Sequence, residues 1–453
     1  MKKTITKFLA GGMAASMMLN LAACGSSASA PEGTTAAPAA TEAAKAAAET
    51  VAKAEGGNGT TLRISWWGGD SRHTATLEAL KAYEEANGVT IESEYGAWSG
   101  WQDKIATQIA GNSEPDLFQI NWNWLWQFSP DGTRFVDLQE LTDFDLSQYD
   151  QSLIDLMTID GHVLGVPVSS TGRVFYWNKA TFEKAGLEVP KSFADILAAG
   201  PVFKEKLGDD YYPLAAGTYD LTILLTYYMQ EKYNKQWIVD HKLNYSVEEL
   251  TDGFDFLKSL EANHVIPTQE KLTGDGADSL DKNPNFIDGH YAGVVEWDSS
   301  IKKLADALDS DQEIVIGEYP ADYGTPATVY KVSMGFAVSP NSANKEEAAK
   351  LLQYMFNGDG VETLGLERGV PASHAAQEKL EATGALKGLT FEANQAAAAN
   401  APFQLSPYYE DAALKDSAEG AYQEIMDSMS YDGTDSKELA EMLIEAVNEV
   451  ESK

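Results

Sequence analysis

Residues 120–129 read INWNWLWQFS: Trp122, Trp124 and Trp126 alternate with Asn123 and Leu125, after Asn121. Indole offers a flat apolar face with one N–H at its edge, and asparagine offers two donors and an acceptor. This pairing suits a ligand that is apolar on its faces and hydroxylated around its perimeter, as a pyranose is. Seven of the ten tryptophans fall between positions 66 and 126, so the rings gather along one stretch. Trp66 and Trp67 precede Gly68-Gly69, Trp98 and Trp101 flank Ser99-Gly100, and the remaining three follow a predicted third strand. In open α/β sheets, ligands bind outside the carboxyl ends of the strands, where these rings lie. The competing reading packs Trp124 or Trp126 as an anchor between a helix and the sheet, and for any single ring both readings stand. If the segment turns helical at Trp122, Trp122 and Trp126 align and Trp124 points elsewhere.

The chain has five arginines among its 33 basic residues: Arg63, Arg72, Arg134, Arg173 and Arg368. Arg72 follows WWGGDS, Arg173 sits in SSTGR and Arg368 in LERGVP, each near glycine in a predicted loop or extended segment. A planar guanidinium binds a carboxylate through two parallel hydrogen bonds. Each of these arginines therefore either grips an acidic sugar or pairs internally with Asp or Glu.

Catalytic and metal patterns are weak. Six histidines lie without metal-ligand spacing, and TGDGADSLD departs from a calcium loop because Ala277 occupies a ligand position. Ser299 to Lys302 matches S-x-x-K without its companion motifs, and neither G-x-S-x-G nor a P-loop occurs. No cofactor and no metal are expected. A carboxylate pair for glycoside hydrolysis keeps a surface-attached polysaccharide hydrolase or lyase as the runner-up. A formal charge of −36 argues against nucleic acid as a partner.

The start of the chain has its own logic. Lys2, Lys3 and Lys7 precede an apolar run from Phe8 to Leu19, too short to span a bilayer. It ends in Leu21-Ala22-Ala23-Cys24, and Cys24 is the only cysteine. Small residues followed directly by cysteine form a bacterial lipoprotein signal, so 1–23 reads as a signal peptide and Cys24 as the lipidated residue. Residues 24–60, rich in Ala, Ser, Thr, Gly and Glu, cannot build a core and read as a tether. The expected location is extracytoplasmic, anchored to the cell membrane by that lipid.

From Thr61 onward, strands and helices alternate. TLRISWW, VTIESEY and PDLFQIN read as strands. Between them lie a helix with Leu77, Leu80 and Tyr83 on one face and Gly88 as its stop, and another with Trp101, Ile105 and Ile109 four apart. A hairpin is expected at Asp160-Gly161, and a capping box at Ser246 and Glu249. YAGVVEW and EIVIGEYP complete a second α/β set, and the segments around GVPVSSTGRVFYWNK and TVYKVSMGFAVSP run extended. At 453 residues, two lobes are expected, joined by crossing segments.

The quoted stretches SWWGGDSRHTATLEAL, EPDLFQINWNWLWQFSPDGT, KEKLGDDYYPLA and LGLERGVPAS carry a resemblance. The chain resembles family 1 extracellular solute-binding lipoproteins of carbohydrate ABC importers, and is similar to the oligogalacturonide-binding proteins of pectin uptake. The resemblance implies an α/β, two-lobed periplasmic-binding-protein-like (type II) fold with an interlobe cleft and crossing hinge segments. Lobe 1 would comprise 61–168 with 326–370, and lobe 2 would comprise 169–325 with 371–453. The crossings would lie near Pro167–Gly172, Tyr323–Val332 and Gly369–Ser373. The implied pocket collects Trp66, Trp67, Arg72, His73, Trp98, Asn121, Trp122, Asn123, Arg173, Tyr219, Asp220, Trp297, Asp298, Arg368 and Tyr408. For Trp297 the alternative is a strand-end ring packed under its own helix.

The expectation is a monomeric binding protein without catalysis. It captures an oligosaccharide, uronate-containing or neutral, and delivers it to ABC permease subunits. Calorimetry should find that Trp122→Ala costs about 1–3 kcal/mol of sugar-binding free energy; unchanged affinity would remove the stacking role.

Overall fold

The alternation in TLRISWW becomes strand β1 (Thr61–Trp67), with Leu62, Ile64 and Trp66 wholly buried and Thr61 and Arg63 exposed. The computed structural model describes residues 59–98, 100–276 and 279–452. The expected signal peptide, Cys24 and nearly all of the tether lie outside them. Strands β2 (Thr90–Gly96) and β3 (Leu117–Ile120) flank β1, both parallel to it. The helices connecting them, Asp70–Asn87 and Trp101–Ala110, supply the crossovers that parallel strands require. Gly88 ends the first with φ of 65°, a conformation costly for residues with a Cβ. That helix buries Thr76, Ala79, Leu80 and Tyr83, whereas Leu77 is exposed. Leu80 and Tyr83 thus face inward as expected, and Thr76 takes the buried place expected of Leu77, its hydroxyl satisfied on the Arg72 carbonyl at 2.7 Å.

Beyond β3 comes the short hairpin of β4 (Thr158–Ile159) and β5 (His162–Val163). Its turn residues Asp160 and Gly161 both have positive φ, as a two-residue hairpin connection demands. The next strand, β6 (Val166–Asn178), has 13 residues, all buried. A second small hairpin, β7 (Ile238–Val239) with β8 (Lys242–Leu243), precedes β9 (Gly293–Trp297), β10 (Ile314–Ile316) and β11 (Tyr330–Val338).

Strand β6 changes partners along its length. Its first half, Val166 to Gly172, pairs antiparallel with β11, which pairs antiparallel with β3. From Arg173 onward it pairs antiparallel with β9, and Tyr176 to Asn178 also pair with β10. One strand therefore belongs to two strand sets, and Arg173, opposite Trp297, stands at the changeover. Pro371 bridges Ser169, and the Ala372 N–H donates to the Val168 carbonyl at 3.1 Å, so a third segment lies beside β6.

Helices close over these sets. The Ser246–Glu249 capping box is present, with Glu249 N–H to Ser246 Oγ at 3.2 Å and Ser246 N–H to Glu249 Oε2 at 2.9 Å. The helix Leu389–Ala399 lies directly on β6, where Asn394 donates to the Ser170 carbonyl at 3.0 Å. Gly172 permits this approach, because a Cβ there would stand 2.4 Å from Ala397 Cβ and 2.8 Å from Tyr330 Cδ2. Gly172→Ala should therefore force the helix or the Tyr330 ring aside and lower stability by about 1–3 kcal/mol in urea unfolding. A neutral outcome would mean that this contact is soft.

Candidate functional site

At the changeover of β6, Arg173 is 3% exposed despite its charge. Its Nη1 donates to Asp220 Oδ1 at 2.8 Å and to the Val295 carbonyl at 2.7 Å, with Glu296 Oε1 at 3.5 Å. Burial works against the cation, but Glu296 and Asp220 more than offset it, so Arg173 holds its proton more tightly than a free arginine. The guanidinium lies 4.5 Å from the Trp297 ring centre and 5.1 Å from that of Tyr219.

A second cation shares the Trp297 ring. Lys331, on β11 and 6% exposed, has Nζ at 4.8 Å from the centre of Trp297 and 6.0 Å from that of Trp122. It forms a buried ion pair with Glu410, which also accepts from Lys415 and from the Tyr219 hydroxyl, the latter at 2.9 Å. Burial pulls the Lys331 ammonium down to about 8, against the attraction of Glu410. Burial would push Glu410 up, but Lys331 and Lys415 overcome it and hold the carboxyl well below its ordinary range. Asn123 Nδ2 reaches the Glu410 carbonyl at 3.5 Å.

Three polar atoms of this cluster are buried without a hydrogen-bond partner among the described residues: Trp122 Nε1, Asn123 Oδ1 and Arg173 Nε. Two donors and an acceptor of this kind, beside aromatic faces, form an unfilled complement to hydroxyl groups. Two cavities adjoin the cluster. Trp122, Trp126, Gln236, His241 and Tyr408 line one of about 340 Å³; Tyr219, Asp220, Gln269, Gln423 and Lys415 line another of about 690 Å³.

Of the residues named from sequence, Trp122, Asn123, Arg173, Tyr219, Asp220, Trp297 and Tyr408 thus lie in or beside one cluster. Asn121 adjoins it, its Oδ1 accepting the Trp122 N–H at 3.2 Å. The others are placed differently. Trp66 is wholly buried, stacked on Tyr95 at 5.0 Å, and donates from Nε1 to His73 Nδ1 at 3.1 Å. Arg72 is held by the carbonyls of Glu367 at 2.8 Å and Trp67 at 3.2 Å. Trp67 packs against Trp98, Trp101 and Trp124 with ring centres 5.0, 6.5 and 5.3 Å away, and only Trp98 of these is exposed. The helix begins at Trp124, after a turn at Trp122-Asn123, so Trp122 and Trp126 line the same cavity while Trp124 joins the packed group.

Asp298 is 1% exposed and accepts from Thr171 Oγ1, Asn394 Nδ2 and the Ser299 N–H, the last at 2.7 Å. Burial pushes it up to about 6 despite those bonds, and it ties β6 to the helix Leu389–Ala399. Arg368 donates to Thr76 Oγ1 at 2.8 Å, behind the first strand set. Lys331, Lys415, Glu296 and Glu410 were not singled out in the sequence. The one available signal was a lysine inside the otherwise apolar extended run TVYKVSMGFAV.

Glu410 is the carboxylate that compensates the buried Lys331, and removing one member of such a pair strands the other. Glu410→Gln should lower unfolding free energy by about 3–5 kcal/mol in urea titration, while Lys331→Met with Glu410→Leu should recover most of it. A loss below about 1 kcal/mol for the single variant would show the pair to be solvated.

Residues 78–387 match the family of bacterial extracellular solute-binding proteins. The structure is similar to that of a periplasmic oligogalacturonide-binding protein from Yersinia enterocolitica in complex with saturated digalacturonic acid. The two share 35% identity over 87% of this chain and 99% of that one, with a TM-score of 0.77. A periplasmic solute-binding protein from Pectobacterium atrosepticum gives 34% identity, the same coverage of both chains and a TM-score of 0.79. The diacetylchitobiose-binding protein of Streptomyces coelicolor is 26% identical over 187 residues, 41% of this chain and 40% of that protein. The mixed α/β fold is that of periplasmic solute-binding proteins, and the chain belongs to the bacterial extracellular solute-binding protein family, whose members bind rather than transform their solute.

Proposed function

We propose that this protein captures a uronate-containing oligosaccharide of the pectin type and presents it to the permease of an ABC importer. The observation that carries the reading is the pair of buried cations, Arg173 and Lys331, over the single ring of Trp297 at 4.5 and 4.8 Å. Lys331 is held down to about 8 by burial, with Lys415 and Arg173 adding to the depression, so a ligand carboxylate would relieve it. The unpartnered Trp122 Nε1, Asn123 Oδ1 and Arg173 Nε would meet sugar hydroxyls. The digalacturonic acid bound by the Yersinia enterocolitica relative is a solute of this chemistry.

In this reading the two strand sets are the cores of two lobes, 61–168 with 326–370 and 169–325 with 371–453. Trp122 and Asn123 come from the first lobe, as does Lys331; Tyr219, Trp297 and Glu410 come from the second. A sugar touching both stabilises a closed arrangement by its differential contacts, and the permease reads that arrangement. A lipid on Cys24 would hold the protein at the outer face of the membrane. Among the described residues, no helix is long and apolar enough to cross one.

Calorimetry near pH 7 should show digalacturonate binding with neutral xylo-, manno- and gluco-oligosaccharides at least tenfold weaker. Lys331→Met should remove most of that preference, a loss of about 1.5–3 kcal/mol for a hydrogen bond to a charged group. The ammonium is present below its value of about 8 and is lost above it, so wild-type affinity for digalacturonate should fall several-fold between about pH 7 and 9. A neutral sugar binding as well as the uronate, with no pH dependence, would contradict the anionic reading and favour a neutral oligosaccharide.

A further inference from the structure

Arg368 lies outside the aromatic cluster and shares no side chain with it. The residue is 5% exposed, and among the described residues the only hydrogen bond of its side chain runs from Nη2 to Thr76 Oγ1 at 2.8 Å. Both Nε and Nη1 are buried without a partner. Among the described residues no carboxylate stands within ion-pair distance of it. The neighbouring acid, Glu367, turns to Ser71, whose hydroxyl donates to Oε2 at 2.6 Å. Arg72 adds a second positive charge to the surroundings. Burial pulls Arg368 down to about 9, which still leaves it a cation at neutral pH.

Glu367 attracts this cation only from a distance, and a buried cation with no carboxylate in contact is unfavourable in a medium this apolar. Beside Arg368 is a cavity of about 30 Å³ whose other walls include Val168, Met355, Phe356, Val361 and Leu364. A single water needs about 10–15 Å³ of such space, so the cavity takes a body of one or two waters' size. A small monatomic ion fits such a space. Apolar walls favour an anion that sheds its water readily. We propose that this cavity is a halide site built into the fold, where a chloride ion accepts from Arg368 and supplies its counter-charge. The site is independent of the sugar reading.

An ion that binds only the folded state raises Tm in a saturating manner. At fixed ionic strength, replacing sodium gluconate with sodium chloride or bromide should raise Tm by about 2 °C and then level off. Arg368→Met should abolish the halide dependence while leaving digalacturonate affinity within twofold of wild type. A Tm indifferent to halide, or a halide response retained in Arg368→Met, would overturn the proposal. Should that variant fail to fold, bromide-soaked crystals of the wild-type protein decide. An anomalous peak within hydrogen-bond distance of the Arg368 guanidinium supports the site, and its absence from that cavity overturns it.

Discussion

Lys331 and Glu410 are buried against each other, one on β11 and the other 79 residues later in a short 3₁₀ turn, Pro407–Glu410. Neither charge could be placed there alone, since each would lose its hydration without compensation. Their pairing brings Trp122, Trp297 and Tyr219 around one point, and Arg173 completes the arrangement through Asp220 and Glu296. Three cations and three carboxylates balance within the cluster. The packing is nonetheless poised, because Lys331 is depressed by burial while its neighbours Lys415 and Arg173 repel it.

The long strand β6 makes this possible. Because it feeds two strand sets, groups that fix the changeover also fix the distance between the rings. Asp298, held by Thr171 and Asn394, is such a group, and Gly172 is another through the close contact it allows with Ala397. The tryptophans divide accordingly. Trp67, Trp101 and Trp124 form a rigid packed wall in the first strand set, while Trp122 turns toward Lys331. A ring that packs and a ring that faces a cation are only two positions apart.

Much of this was legible in the sequence. TLRISWW and YAGVVEW, read as strands, and TVYKVSMGFAVSP, read as extended, placed β1, β9 and β11, and Asp160-Gly161 placed a hairpin, because strand pleat and turn sterics act locally. The uneven distribution of tryptophan pointed to the rim of the first sheet. The direction of each ring was less accessible, since it depends on whether the helix begins at residue 122 or 124. Arg368 shows the same difficulty: proximity to glycine in an extended segment does not tell which side of the sheet a side chain takes. Lys331 was harder still, as lysine is the common solvating cation of this chain and the groups that enclose it, Trp122, Trp297 and Glu410, are far from it in sequence. Glu410 could be recognised only once the fold had brought positions 331 and 410 together.

The central claim is that a sugar acid lies between Trp122 and Trp297 with its carboxylate on the Arg173–Lys331 cations. A crystal structure of the protein with digalacturonate tests it most directly. The account predicts a pyranose face on at least one of those two rings and a carboxylate oxygen within hydrogen-bond distance of Lys331 Nζ or the Arg173 guanidinium. A sugar seated instead on the exposed face of Trp98, with Lys331 still enclosed by Glu410 alone, would contradict it.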